Sequence, residues 1–399
     1  MRKNSLGFLK NAGLVLLGLS LGFLLLEGGL QIFNPMEFYV RGDRIILPAN
    51  TSWEFRLDSY GLDPVIKVTR NELGLRGPSL NGVSDDALRI VTVGGSTTEN
   101  IYHSDEKTWT GHLASLLSQH FAPIWVNNAG LDGHTTYGHL VLLRDYLTKL
   151  DLDIVIYLVG MNDVGVDTPI HFDKDFIDSG IDFSSFRQFV RTASRYSEVV
   201  ALALNLYRAY RAHIVGLTRP VYMWDFERED APNHVMSPDV AKKRFDELTG
   251  SYLQGYADRL RKIIEFSRHN GIEPVLVTQP AVFGPVIDDY TGWDLGKISS
   301  PWGLSGIVMW QVLERYNDVT RAIAAEEDVL LIDLAIRMPK TIRFYYDSIH
   351  YTNAGTAEVG RIIFTKLCHK LERDFPQQLA KPCPPAEQRL SRGSPGVFR

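Results

Sequence analysis

Ser96 follows two glycines in Val93-Gly-Gly-Ser-Thr-Thr98, directly after the apolar run Ile90 to Val93. Asp347 and His350 stand three residues apart in Tyr346-Asp-Ser-Ile-His350, ahead of a helix-like segment. Between these lie a glycine turn, Asn127-Asn-Ala-Gly-Leu-Asp-Gly-His134, and a side-chain amide, Asn162, in Val159-Gly-Met-Asn-Asp163. A serine hydroxyl is a poor nucleophile near neutral pH and needs a base within hydrogen-bond reach; an imidazole has a suitable pKa. Asp347 is near enough for a turn to aim its carboxylate at the far ring nitrogen of His350. That would fix the tautomer and stabilise the imidazolium. The backbone N–H groups of Ser96 and Gly133 and the side-chain NH2 of Asn162 are three candidate donors to an oxyanion. Together these form the inventory that acyl transfer needs. Singly, each motif is weak: a serine after two glycines is usually only a turn, Gly-x-Asn-Asp an Asx-turn, Asp347 a helix cap. The reading rests on the four together, in this order.

The order and wording resemble the SGNH (GDSL-like) hydrolase superfamily of esterases, lipases, thioesterases and carbohydrate deacetylases. The resemblance covers roughly residues 85 to 370. Its serine corresponds to Ser96, its asparagine to Asn162 and its histidine to His350 in a D-x-x-H block. Its glycine fits Gly133 better than Gly130. The commoner family wording has aspartate before the serine; this chain has Gly95, like a GGS subset of the family. The resemblance implies an ester hydrolase acting through an acyl-serine, with Ser96, Asp347 and His350 catalytic, Ser96, Gly133 and Asn162 as oxyanion hole, and neither metal nor organic cofactor. By family analogy and topology the acyl group is expected to be short, for instance an O-acetyl on a cell-surface glycan. Rival readings are an O-acyltransferase to a sugar hydroxyl, a lipase or lysophospholipase, and a non-catalytic glycan-binding protein.

The elements that would position these residues are legible as a pattern. The apolar runs Leu88–Val93, Ile124–Val126, Ile154–Val159, Pro274–Val277 and Val329–Ile332 read as parallel strands buried on both faces. Helical spacing follows over Trp109–His120, Tyr137–Leu150, one long helix from Ser237-Pro238 to Gly271, and Gly306–Glu327. This alternation predicts a three-layer α/β/α sandwich around a central parallel sheet, the flavodoxin-like arrangement of the SGNH family. Ser96 and Asn162 then fall at carboxyl strand ends, where ligands bind in such sheets.

Outside that domain the chain divides as follows. Arg2, Lys3 and Lys10 precede an apolar stretch of about bilayer length, residues 12–33, interrupted by Glu27. Basic residues on its N-terminal side predict a cytoplasmic end at residues 1–11, and no clear cleavage site follows, so an uncleaved anchor is expected ahead of a cleaved signal peptide or a buried core helix. Glu27 sits near enough to the far interface for its carboxylate to reach water. Residues 34–84 read as a juxtamembrane segment, with Thr69–Pro78 a turn tying it to the domain, and 85–375 as the hydrolase domain. An insert at about 165–235, holding the apolar run Val199–Leu206, reads first as a helical cap over the site, with a membrane-facing or dimer surface as alternatives. Residues 376–399 read as a disordered tail. The catalytic domain would therefore lie outside the cytoplasm, with ester substrate and membrane as its partners.

The 399 residues carry net charge −5 without a basic run, a poor match to nucleic acid. The 2 cysteines, Cys368 and Cys383, lack metal-type spacing, and whether they pair is open. His103, His112, His134 and His139 are expected in surface or packing roles, His171–Asp175 as an exposed loop rather than a metal site, and Asp333 as structural.

Overall fold

The computed structural model describes residues 2–33, 40–41, 44–167, 189–190, 192–214, 231–300 and 302–385. The chain opens with a long helix, α1 (Arg2–Ile32). Two antiparallel pairs follow: β1 (Val40–Arg41) with β2 (Arg44–Ile45), and β3 (Thr51–Arg56) with β4 (Val65–Arg70). The five apolar runs then form one parallel sheet from β5 (Leu88–Gly94), β6 (Ile124–Asn128), β7 (Ile154–Val159), β8 (Glu273–Thr278) and β9 (Leu330–Ile332). Their spatial order is β6-β5-β7-β8-β9. Every residue of β5 and β7 is buried, the consequence of Val/Ile/Leu-rich strands covered on both faces.

Helices α2 (Ser96–Glu99), α3 (Trp109–Leu117) and α4 (Thr136–Asp145) connect the first strands. They are followed by α5 (Glu198–Ile214), α6 (Pro238–Thr249), α7 (Tyr252–His269), α8 (Gly306–Glu326), α9 (Leu334–Arg337) and α10 (Asn353–Asp374). Helix α3 packs with α10, while α4 packs on α7 and α7 on α8. The sheet lies between these layers, so the predicted three-layer architecture is present. The strand order reverses at β5, and the chain leaves β5, β6 and β7 at neighbouring carboxyl ends. That is the crevice where open α/β sheets bind ligands.

Four sequence expectations change. The long helix from residue 237 to 271 is two helices. Its apolar periodicity runs on, but Gly250 (ψ −113°) turns the chain after α6 and its N–H closes on the Asp246 carbonyl. The boundary at residue 84 moves towards the N-terminus. Ile45, Leu47 and Leu75 are buried in the same core as the sheet, so the chain belongs to the domain from about β2 onward. The expected tail at 376–399 is ordered as far as residue 385: Cys383 forms a disulfide with Cys368 of α10, and Phe121 pairs with Leu379. The Ala122 N–H donates to Gln378 and the Ala380 N–H to His120. Closing a loop of 15 residues stabilises a fold by about 3 kcal/mol in the chain-entropy account. Lastly, Glu27 is not left to water. Its carboxylate accepts from Ser197 Oγ at 2.7 Å and from the Glu198 N–H at 2.8 Å.

The described part of the insert is chiefly α5, and the element it packs on is α1. The rest of the insert lies outside the described residues, as does the His171–Asp175 run. Asp333 is structural as expected, bound to Arg321 and to Thr278 Oγ1.

Candidate active site

Ser96 is the first residue of α2, separated from the end of β5 at Gly94 only by Gly95. His350 comes from the turn before α10, 254 residues away, and its Nε2 lies 2.8 Å from Ser96 Oγ. Its other ring nitrogen, Nδ1, lies 2.6 Å from Asp347 Oδ2. Asp347 Oδ1 accepts the backbone N–H groups of Ile349 (2.8 Å) and His350 (2.7 Å). The Asp-Ser-Ile-His turn therefore folds around its own carboxylate and leaves the second oxygen facing the imidazole. Thr352 caps α10 immediately afterwards through Gly355, and the packing of α10 on α3 fixes the turn to the sheet. Tyr346 stacks on the imidazole, with ring centroids 5.6 Å apart and planes 8° from parallel. Burial alone would depress the His350 pKa; the Asp347 carboxylate outweighs it, with help from Asp132, and raises the ring above the ordinary histidine value.

Asn162 lies in the turn after β7, entered through Gly160 at φ 131°, a left-handed conformation that disfavours other residues. The Asn162 amide donates to the His134 carbonyl at 2.9 Å. Its nitrogen also lies against Gly95: a Cβ built there would stand 2.1 Å from Asn162 Nδ2. A side chain at position 95 would therefore displace the Asn162 amide. Next door, Asp163 is buried and accepts from the Thr136 N–H (3.1 Å) and from Arg259 (3.1 Å), tying the β7 turn to the start of α4.

Gly133 stands at the exposed tip of the β6–α4 loop with φ +69°. Gly130 serves another purpose. A Cβ there would meet the Glu99 nitrogen at 2.3 Å, so its absence lets the loop lie on α2. Ser96, Gly133 and Asn162 thus follow the carboxyl ends of three adjacent strands, β5, β6 and β7.

Sequence reasoning missed the scaffold beneath this loop. Glu99 is buried and bridges two segments: Oε1 pairs with Arg70 at 2.5 Å, and Oε2 accepts the Asp132 N–H at 2.8 Å. Arg76 donates to the carbonyl oxygens of Glu99, Asn100 and His103 and pairs with Asp105. Thr69–Pro78 is therefore not a linker turn but a clamp on the chain that follows Ser96. The only signal was its two arginines in a short phrase, and nothing local tells which partners they find.

His103, His134 and His139 are buried in packing roles. Burial holds His103 and His134 down to about 3, so both rings are neutral at ordinary pH. His134 and His139 also line a small cavity of about 10 Å³ together with Ser96, Asn162, Gln279 and Ile349. 

Residues 92–357 match the model of the GDSL-like lipase/acylhydrolase family. A search of curated proteins finds no match. Among solved structures, the chain is similar to a lipase/acylhydrolase from Enterococcus faecalis at 15% identity, with 74% of this chain and 99% of that one covered and a TM-score of 0.39. It is also similar to an acetylxylan esterase from Geobacillus stearothermophilus at 14% identity, covering 71% and 96%, with a TM-score of 0.38. A GDSL-like lipase from Bacteroides thetaiotaomicron matches at 13% identity, covering 71% and 88%, with a TM-score of 0.36. With two thirds of its length matched by one family model, the chain belongs to the GDSL-like lipase/acylhydrolase family.

Proposed function

We propose that this protein is a membrane-anchored serine esterase that removes a short acyl group through an acyl-Ser96 intermediate. The observation that carries the reading is the hydrogen-bonded chain from Ser96 Oγ through the His350 ring to Asp347. In this mechanism His350 Nε2 takes the serine proton as Oγ attacks the ester carbonyl. The C–O bond to the alcohol then breaks, and the same proton passes to the leaving oxygen. Water, deprotonated by His350, releases the acid and restores the serine. Asp347 holds the tautomer with the proton on Nδ1 and stabilises the imidazolium. The Ser96 and Gly133 N–H groups and the Asn162 amide receive the oxyanion.

The short acyl group, such as an acetyl on a surface glycan, is inferred from the family resemblance together with the membrane anchor. Rates of the full-length enzyme on p-nitrophenyl esters should fall steeply beyond about four acyl carbons; a preference for long chains would replace this reading with a lipase.

The contact between Gly95 and Asn162 gives a sharper check. The Gly95 backbone (φ −84°) lies outside the left-handed region, so Gly95→Ala acts by pushing on the amide. Loss of one oxyanion donor typically costs about 10² to 10³ in kcat. Gly95→Ala should lose on the order of 10² in kcat with little change in KM. In an Asn162→Ala background it should lose almost nothing further. Additive losses would show that Gly95 acts by another route.

Asn11–Ile32 is the one helix among the described residues long and apolar enough to cross a membrane. In the retained helix Glu27 bonds to the insert. A catalytic domain outside the cytoplasm is supported by the basic N-terminal flank and by the Cys368–Cys383 disulfide.

A further inference from the structure

We propose that α5 is a second membrane contact: an interfacial helix whose partner is the phospholipid on the outer face of the bilayer that α1 crosses. The proposal rests on α1 being the anchor and goes beyond it by assigning the insert. The link between the two helices is specific. Helix N-termini leave their first N–H groups without intrahelical partners, and a carboxylate there is favoured by the helix dipole. α5 receives its carboxylate from another segment. Glu27 accepts from the N–H groups of Glu198 (2.8 Å) and Val199 (3.1 Å) and from Ser197 Oγ (2.7 Å).

The depth of this contact decides what α5 is. Glu27 lies five residues before Ile32, the end of the apolar span, or about 8 Å along the helix axis. Interfacial helices lie about 5–10 Å into the boundary between headgroups and acyl chains. Side chains of α1 from Leu14 to Leu26 are exposed along the rest of the span, whereas Glu27, Gly28 and Leu30 are half-buried. α5 therefore covers the outer end of α1 rather than running down beside it. Its apolar part, Glu198–Tyr207, is about 15 Å long, too short to cross a hydrocarbon core of about 30 Å.

The surface around it is that of a lipid contact. Leu206, Tyr207 and Tyr210 are 54%, 58% and 63% exposed. Beyond residue 33, four of the five exposed aromatic side chains among the described residues belong to the insert: Phe189, Tyr196, Tyr207 and Tyr210, the other being Tyr290. Tyrosines concentrate where one end of the ring is apolar and the other wet. Facing water, this cluster would be an unexplained apolar patch; joined to the top of α1, it is continuous with the bilayer.

The test uses full-length protein in phospholipid nanodiscs, carrying one nitroxide at a time on Leu206→Cys, Tyr207→Cys or Tyr210→Cys. Leu21→Cys in α1 reports the anchor, and Lys262→Cys, exposed on α7, reports water. Power saturation compares collisions with lipid-soluble oxygen and with a water-soluble nickel chelate. The expected result is oxygen preference at 21, 206, 207 and 210 and nickel preference at 262, with at least a several-fold difference in the ratio. Oxygen preference at 21 with nickel preference at 206, 207 and 210 would overturn the interfacial helix and leave the anchor standing. Nickel preference at 21 as well would remove both.

Discussion

Ser96→Ala is expected to lower kcat on a p-nitrophenyl ester by about 10⁵ to 10⁶, with the fold and the disulfide unchanged. Losses of that size follow removal of a nucleophile from a coupled Ser–His–Asp set. The residue is small, stands at the first position of α2 and bonds through its hydroxyl to His350, so alanine removes the nucleophile and little else. KM should change far less than kcat, because the hydroxyl is used in bond formation and not in holding the ester. His350→Ala should cost about as much, and the double variant scarcely more. A double variant whose loss is the product of the two single losses would mean that the two side chains do not act on one step.

Asp347→Asn is the second large effect, about 10⁴ in kcat, the size seen when such a carboxylate is neutralised. The amide can still accept the Ile349 and His350 N–H groups, so the turn survives. What it loses is the charge beside Nδ1. That charge raises the His350 pKa against burial, which alone would lower it. The sign follows. His350 must be neutral to take the serine proton, so kcat/KM rises with pH through its pKa. In the native enzyme the midpoint of this acid limb should lie above the ordinary histidine value near 6.5. In Asp347→Asn it should move to lower pH while the plateau collapses. A pH–rate profile of both proteins checks this, and an acid limb that stays in place would assign it to another group.

The fold was legible where the chemistry is local. Short apolar runs without polar alternation, as in Ile154–Val159, suit strands covered on both faces. Glycine turns at their ends place Ser96 and Asn162 side by side at the carboxyl ends of two paired strands. The Asp347–His350 pair was legible because three residues suffice to fold the turn. What escaped depends on partners distant in sequence. Arg70 meets Glu99, and Glu99 meets the Asp132 N–H, 33 residues further on. Arg259 reaches back 96 residues to Asp163. No periodicity announces such bonds, since each residue taken alone resembles a solvated charge. The break at Gly250 was hidden for a different reason: apolar positions continue across it in register. Glu27 looked like a flaw in an apolar run because the helix it caps lies 171 residues away.

If Ser96 is the nucleophile, its hydroxyl alone should react with a phosphonylating agent. The full-length protein is incubated with a fluorophosphonate, digested, and its peptides are mapped by mass spectrometry. The predicted result is one phosphonylated site, on the peptide containing Gly94-Gly95-Ser96, with no adduct in Ser96→Ala. An adduct on another residue, or labelling that persists in Ser96→Ala, would contradict it.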